Sequence, residues 1–270
     1  MRKTLIAIVV MLASMLLLAT RTVIAGSPKP PFTFGTHVVA ACDTQPEVIS
    51  VRAQNLMTES VTVTGEIWAQ PNGEAAVLIS AVPVQFQSVV PGSWGGPEER
   101  VGNVFPEGFA GTVWGWAQVA AADGTVIGKV ELPFIQLECG NGGEASASVE
   151  FAGQVLAVCD TDPNTVSVRL QNLMTTDLNV TGELWSKHQD NQATLISSVP
   201  SPHQNVTPEN WGGPEERMSK PYPAGFDGKV WGWAEIRSNG NLQGRVTLDR
   251  VPLSCRNTLT FQLFLPMIKK

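Results

Sequence analysis

The segment WGGPEER occurs twice without a change, at Trp94–Arg100 and at Trp211–Arg217. Each copy gathers an indole, two glycines, a proline and three charges. An indole beside carboxylates and a guanidinium is the chemistry of a sugar site, where the apolar face of the ring stacks on the aromatic and polar neighbours take the hydroxyls. A second repeated pair, VTGEIW and VTGELW, carries Glu66 with Trp68 and Glu183 with Trp185. Residues two apart on a strand share a face, so each glutamate and its tryptophan project together. The candidate ligand-binding residues are therefore Glu66, Trp68, Trp94, Glu98 and Arg100, and in the second copy Glu183, Trp185, Trp211, Glu215 and Arg217. The glycines and proline predict a tight loop holding Trp94 at a defined angle. Glu98 or Glu99 with Arg100 would pin that loop by an ion pair or offer a charged rim. The competing reading is a loop packed over one end of the fold with its charges in water.

Other chemistries find little to work with. The three histidines, His37, His188 and His203, stand opposite Gln154, Pro71 and Phe86 in the other copy, so no His-based dyad repeats. GxSxG, HExxH, phosphate-loop and GxGxxG patterns are absent. Glu66 with Glu98 or Glu99 is the one repeated carboxylate set that could serve glycoside cleavage, and the reading favours binding over catalysis. Asp43 and Asp160 lack a calcium-loop spacing, and the cysteines lack the CxxC spacing of a zinc site. No cofactor or metal is expected. A net charge of -6 without a basic stripe argues against nucleic acid as a partner.

These residues sit in a duplicated frame. Shifting the sequence by 117 positions aligns Val38–Val119 with Val155–Ile236 without a gap, at roughly half identity. One residue then drops out, and the register resumes as far as Cys139 and Cys255. The expected units are residues 36–139 and 153–255, joined by a Gly/Ser/Ala linker over 140–152 that has little to bury. Arg2 and Lys3, an apolar run and small residues up to Ala25 read as a signal peptide over 1–25, with an uncleaved anchor as the alternative; 26–35 is a linker. Export implies that the four cysteines form disulfides, and pairing Cys42 with Cys139 and Cys159 with Cys255 respects the repeat. Residues 256–270, apolar before Lys269 and Lys270, are too short to span a bilayer and read as an edge strand or a sorting tail.

Within a unit the pattern has period two, broken by Gly, Pro, Asn and Asp. Strands are expected over 36–41, 47–54, 61–69, 76–84, 112–120 and 125–138, with a break at Pro133 possible in the last. The fold class is all-β: two tandem immunoglobulin-like antiparallel β-sandwich domains, each closed by one disulfide. Val61, Val63, Gly65 and Ile67 should face the core, leaving Glu66 and Trp68 outside. For Trp114, Trp116, Trp231 and Trp233 the alternation leaves both faces open. The functional expectation is a secreted or envelope-surface binding or adhesion protein, with a polysaccharide, a cell-surface glycan or another envelope protein as partner. A purely structural module and a glycan-active enzyme are the alternatives.

Overall fold

The computed structural model describes residues 32–41, 48–82, 87–100, 109–139, 149–158, 165–189, 191–217 and 226–255. The expected signal peptide, Cys42, Cys159, the tail over 256–270 and residues 26–31 and 140–148 of the expected linkers lie outside them, whereas 32–35 and 149–152 of those linkers are strand. The described chain is all strand, in two antiparallel sheets.

The first repeat supplies β1 (Phe32–Ala41), β2 (Val48–Asn55), β3 (Val61–Pro71), β4 (Val77–Val82), β5 (Ser88–Val89), β6 (Trp94–Gly95), β7 (Glu98–Arg100), β8 (Ala110–Ala120) and β9 (Val126–Glu138). The second supplies β10 (Val149–Val158), β11 (Thr165–Asn172), β12 (Leu178–His188), β13 (Thr194–Val206), β14 (Trp211–Gly212), β15 (Glu215–Arg217), β16 (Asp227–Ser238) and β17 (Asn241–Ser254). One sheet runs β14-β11-β10-β1-β2-β6, with β15 on β11 and β7 on β2; the other runs β13-β12-β16-β17-β9-β8-β3-β4, with β5 on β3.

Both sheets therefore pass through both repeats, where the sequence predicted two self-contained sandwiches. The join is made of like strands: β1 pairs with β10 and β9 with β17. Thr36 pairs with Gly153, its own counterpart at the repeat spacing, and Val130 pairs with Val246 likewise. A pseudo-twofold axis thus runs through the centre of both sheets. The physical reason is the apolar character of the joining strands. β1 and β10 bury Phe34, Val38, Phe151 and Val155, and an edge of this kind is stabilised by pairing. The buried side chains of both halves form one cluster.

Alternation sets the faces. β8 reads AGTVWGWAQVA with burial strictly alternating, so that Val113, Ala117 and Val119 point in. The two layers interlock through missing side chains: a Cβ at Gly128 would strike the Phe34 ring, and one at Gly244 the Phe151 ring. The repeated QNLMT is a staple. Asn55 Nδ2 donates to the Glu59 and Val89 carbonyls, both at 2.8 Å, and Asn55 Oδ1 accepts from Met57 N. Asn172 repeats all three bonds. The residue lost between repeats falls in a hairpin turn: Asp123 and Gly124 serve the first copy, and the tighter Asn239-Gly240, both at positive φ, the second. The Asp123 carboxyl is held below its ordinary range by hydrogen bonds from Thr125.

Candidate functional site

WGGPEER is an edge of the eight-stranded sheet. Trp94 pairs with Gln54 and Gly95 with Ala53, after which Gly96 takes φ 119° and the strand re-pairs with β2 through Glu98, Glu99 and Arg100. At Gly96 any side chain would run into the Val51 carbonyl, so the residue must be glycine on two counts. Pro97 fills the space over Gly65, whose added Cβ would lie 2.8 Å from the proline Cδ, and its carbonyl accepts from Val51 N at 3.0 Å. The expected tight loop is thus a kinked strand that closes the gap between the two sheets at their edge.

Its charges are partnered from β2. Arg52 reaches Glu98 at 3.1 Å and lies 6.0 Å from the Trp94 ring centre; Arg169, Glu215 and Trp211 repeat this at 3.5 and 5.9 Å. Glu98 thus has an ion-pair partner in Arg52 on β2, and the expected pairing with Arg100 concerns a side chain outside the described ones. The backbone of Arg100 pairs with Val48 and that of Arg217 with Thr165. On the same outer face, His37 meets Glu150 at 3.0 Å and the edge of Trp94 at 6.3 Å.

The second indole group stands on the opposite outer face, that of the nine-stranded sheet. Trp68 on β3 lies directly across from Trp114 on β8, with planes 3° apart and ring centres separated by 6.4 Å. Trp68 Nε1 donates to Glu66 at 3.0 Å, and Trp185 to Glu183 identically. A β-bulge sets Pro133 and Phe134 opposite Trp114, and Phe134, 70% exposed, packs 4.7 Å from that indole. Pro133, having no N–H to give, is accommodated by the bulge without ending β9. Trp116 carries Lys129 at 5.1 Å, and Lys129 also bonds Glu131.

The second copy keeps the indoles and changes their company. Trp185 faces Trp231, whose ring lies under Arg250 at 4.8 Å, and Trp233 lies under Arg245 at 5.3 Å. Beside Trp231 opens a cavity of 730 Å³ lined in part by Lys187, Lys229, Arg250 and Asp227.

The candidate residues thus divide into two groups. Glu66 and Trp68 belong with Trp114 and Phe134 on one face, while Trp94 and Glu98 belong with Arg52 on the other; the second copy divides in the same way. A carboxylate pair made of Glu66 and Glu98 does not assemble. Trp114, Trp116, Trp231 and Trp233, open in the sequence, all project outward between buried neighbours. Sequence reasoning missed Arg52, Phe134, Arg245 and Arg250. Their signal was present in part: a charged or large residue out of phase within an apolar strand marks its outer face. Among the described residues no three or more His, Cys, Asp and Glu side chains group as a metal site, and no helix is long and apolar enough to cross a membrane. In comparison with known proteins, the chain matches no family model and no curated protein.

Proposed function

We propose that this chain is a secreted or envelope-surface binding or adhesion protein, without catalytic activity, that holds glycans on the outer face of its nine-stranded sheet. The observation that carries the reading is the parallel pair of Trp68 and Trp114, extended by Phe134 and flanked by Glu66. Partly exposed aromatics in a row, beside a carboxylate already oriented by an indole N–H, offer stacking surface and hydrogen-bond capacity without a lid or deep cleft. In the second copy Trp185 again lies across from Trp231 and donates to Glu183, with Arg250 in the place of Phe134.

Each repeat is read as an immunoglobulin-like unit. Its strands lie in the order β1-β2-β6 in one layer and β9-β8-β3-β4 in the other, and this distribution supports the reading. Neither cysteine within the described residues is a free thiol, which supports the disulfide reading. They leave opposite ends of the antiparallel β9 and β17 pair, so they are not each other's partners. Gly244 lies against Phe151 and Val246 against Gly153, so β10 and β17 run the same way, which supports pairing Cys159 with Cys255. Phe34 against Gly128 repeats the first of these contacts, and the repeat supports pairing Cys42 with Cys139.

A structural module without a ligand remains the second reading, favoured by the guanidinium groups set over Trp94, Trp211, Trp231 and Trp233. A polysaccharide and glycan array decides between them, run with the chain from Gly26 onward and with a Trp68→Ala/Trp114→Ala/Trp185→Ala/Trp231→Ala variant of unchanged circular dichroism. Binding by the parent should fall to background in the variant. A parent that binds nothing across a broad array overturns the proposal in favour of the structural module.

A further inference from the structure

The two repeats have diverged around their equivalent indoles, Trp114 and Trp231. Where the first carries Gln70, Thr112 and Phe134, the second carries Lys187, Lys229 and Arg250. Glu74 is replaced by Asn191, and Asp227 stands for Ala110. All of these second-copy residues line the 730 Å³ cavity beside Trp231, where Asp227 is the one negative charge gained; outside that lining, Asp249 stands for Pro133 and Asp190 for Gly73.

The arrangement carries a cost that the fold does not explain. Lys187 and Lys229 are directly cross-strand partners with exposed side chains, and like charges so placed destabilise a sheet. Among the described residues neither makes an ion pair, although Lys129 does. Arg250 lies over the Trp231 ring with its guanidinium carbon 4.8 Å from the ring centre, and its N–H donors can bond a carboxylate or sulfate bidentately. Two facing lysines, a stacked arginine and an indole at one cavity fit an anionic sugar: the ring lies along the aromatic and the acid group between the cations.

We infer that the second repeat binds acidic glycans, carrying uronate or sulfate groups, in the cavity beside Trp231, whereas the first repeat's row of Trp68, Trp114 and Phe134 takes neutral ones. The inference rests on the glycan reading above and assigns the ligand class of its second site.

The test uses the full chain from Gly26 against immobilised polygalacturonate and its methyl ester, and against chondroitin sulfate and its desulfated form. The Lys187→Gln/Lys229→Thr/Arg250→Phe variant, which restores the first repeat's residues, is compared with the parent after both are checked by circular dichroism and thermal melting. The parent should prefer the charged member of at least one pair and lose that binding between about 50 and 500 mM salt. The variant should bind it about tenfold more weakly, with binding of neutral glycans unchanged. Equal binding of charged and neutral members, unchanged affinity in the variant, or stronger binding of single-stranded DNA would overturn the inference. If neutral glycans still bind through the indoles in that event, the glycan reading stands alone. Charged binding that depends on the three cations but survives the four-tryptophan variant would instead sink the indole reading.

Discussion

At the scale of single residues, the repeated motifs are joinery. Pro97 is packed into the space that Gly65 leaves, and Gly182 with Pro214 repeats the fit. The identity of WGGPEER in both copies therefore has a steric cause that requires no ligand. Asn55 is the other such residue. Asn55→Ala would leave the buried Val89 carbonyl and the Met57 N–H without partners, and should lower stability by about 3 kcal/mol in urea unfolding. A change below about 1 kcal/mol would show that water replaces the staple. None of this was legible in QNLMT as letters, because a buried asparagine binding three backbone groups looks the same in sequence as one in an exposed turn.

At the scale of elements, the strands were readable and their edges were not. Period two placed β1, β2, β3, β8 and β9 to within a few residues, and the outward set of Glu66 and Trp68 followed directly from Val61, Val63 and Ile67. TVWGWAQV resisted because small residues alternate with large ones there: Gly115 and Ala117 fit either face until the close approach of the Glu66 carbonyl at Gly115 is known. The outcome has an optical signature. With none of the eight tryptophans fully buried, acrylamide should quench the fluorescence of the folded protein substantially and without a protected fraction. A blue-shifted population shielded from quencher would contradict the outward placement of Trp114 and Trp116. The pairing of β1 with β10 was illegible for a different reason, since an apolar edge strand does not declare whether its neighbour comes from its own repeat or the next.

For the whole molecule, continuity of both sheets changes what duplication does. The indole rows of the two repeats share the outer face of the nine-stranded sheet, with Trp114 on β8 and Trp231 on β16 three strand spacings apart, about 14 Å across the strands, and offset by roughly 24 Å along them. On the proposed glycan reading they would form a fixed ruler rather than two beads on a string, so that gain from double engagement would depend on the polymer's own repeat length. Cooperative unfolding should follow from the shared core: circular dichroism and tryptophan fluorescence should report one coincident transition, and two separated ones would mean that the halves melt independently. The seam carries a further meaning. Because Thr36 meets its counterpart Gly153 and Val130 meets Val246, each half contributes the same patch to the join, which is the geometry of an isologous dimer. The chain is in effect a dimer whose subunits have been made covalent. Tethering frees each subunit from having to serve as its own mirror image, and a gene copy so released can exchange Phe134 for Arg250 on one side of the axis without imposing that change on the other.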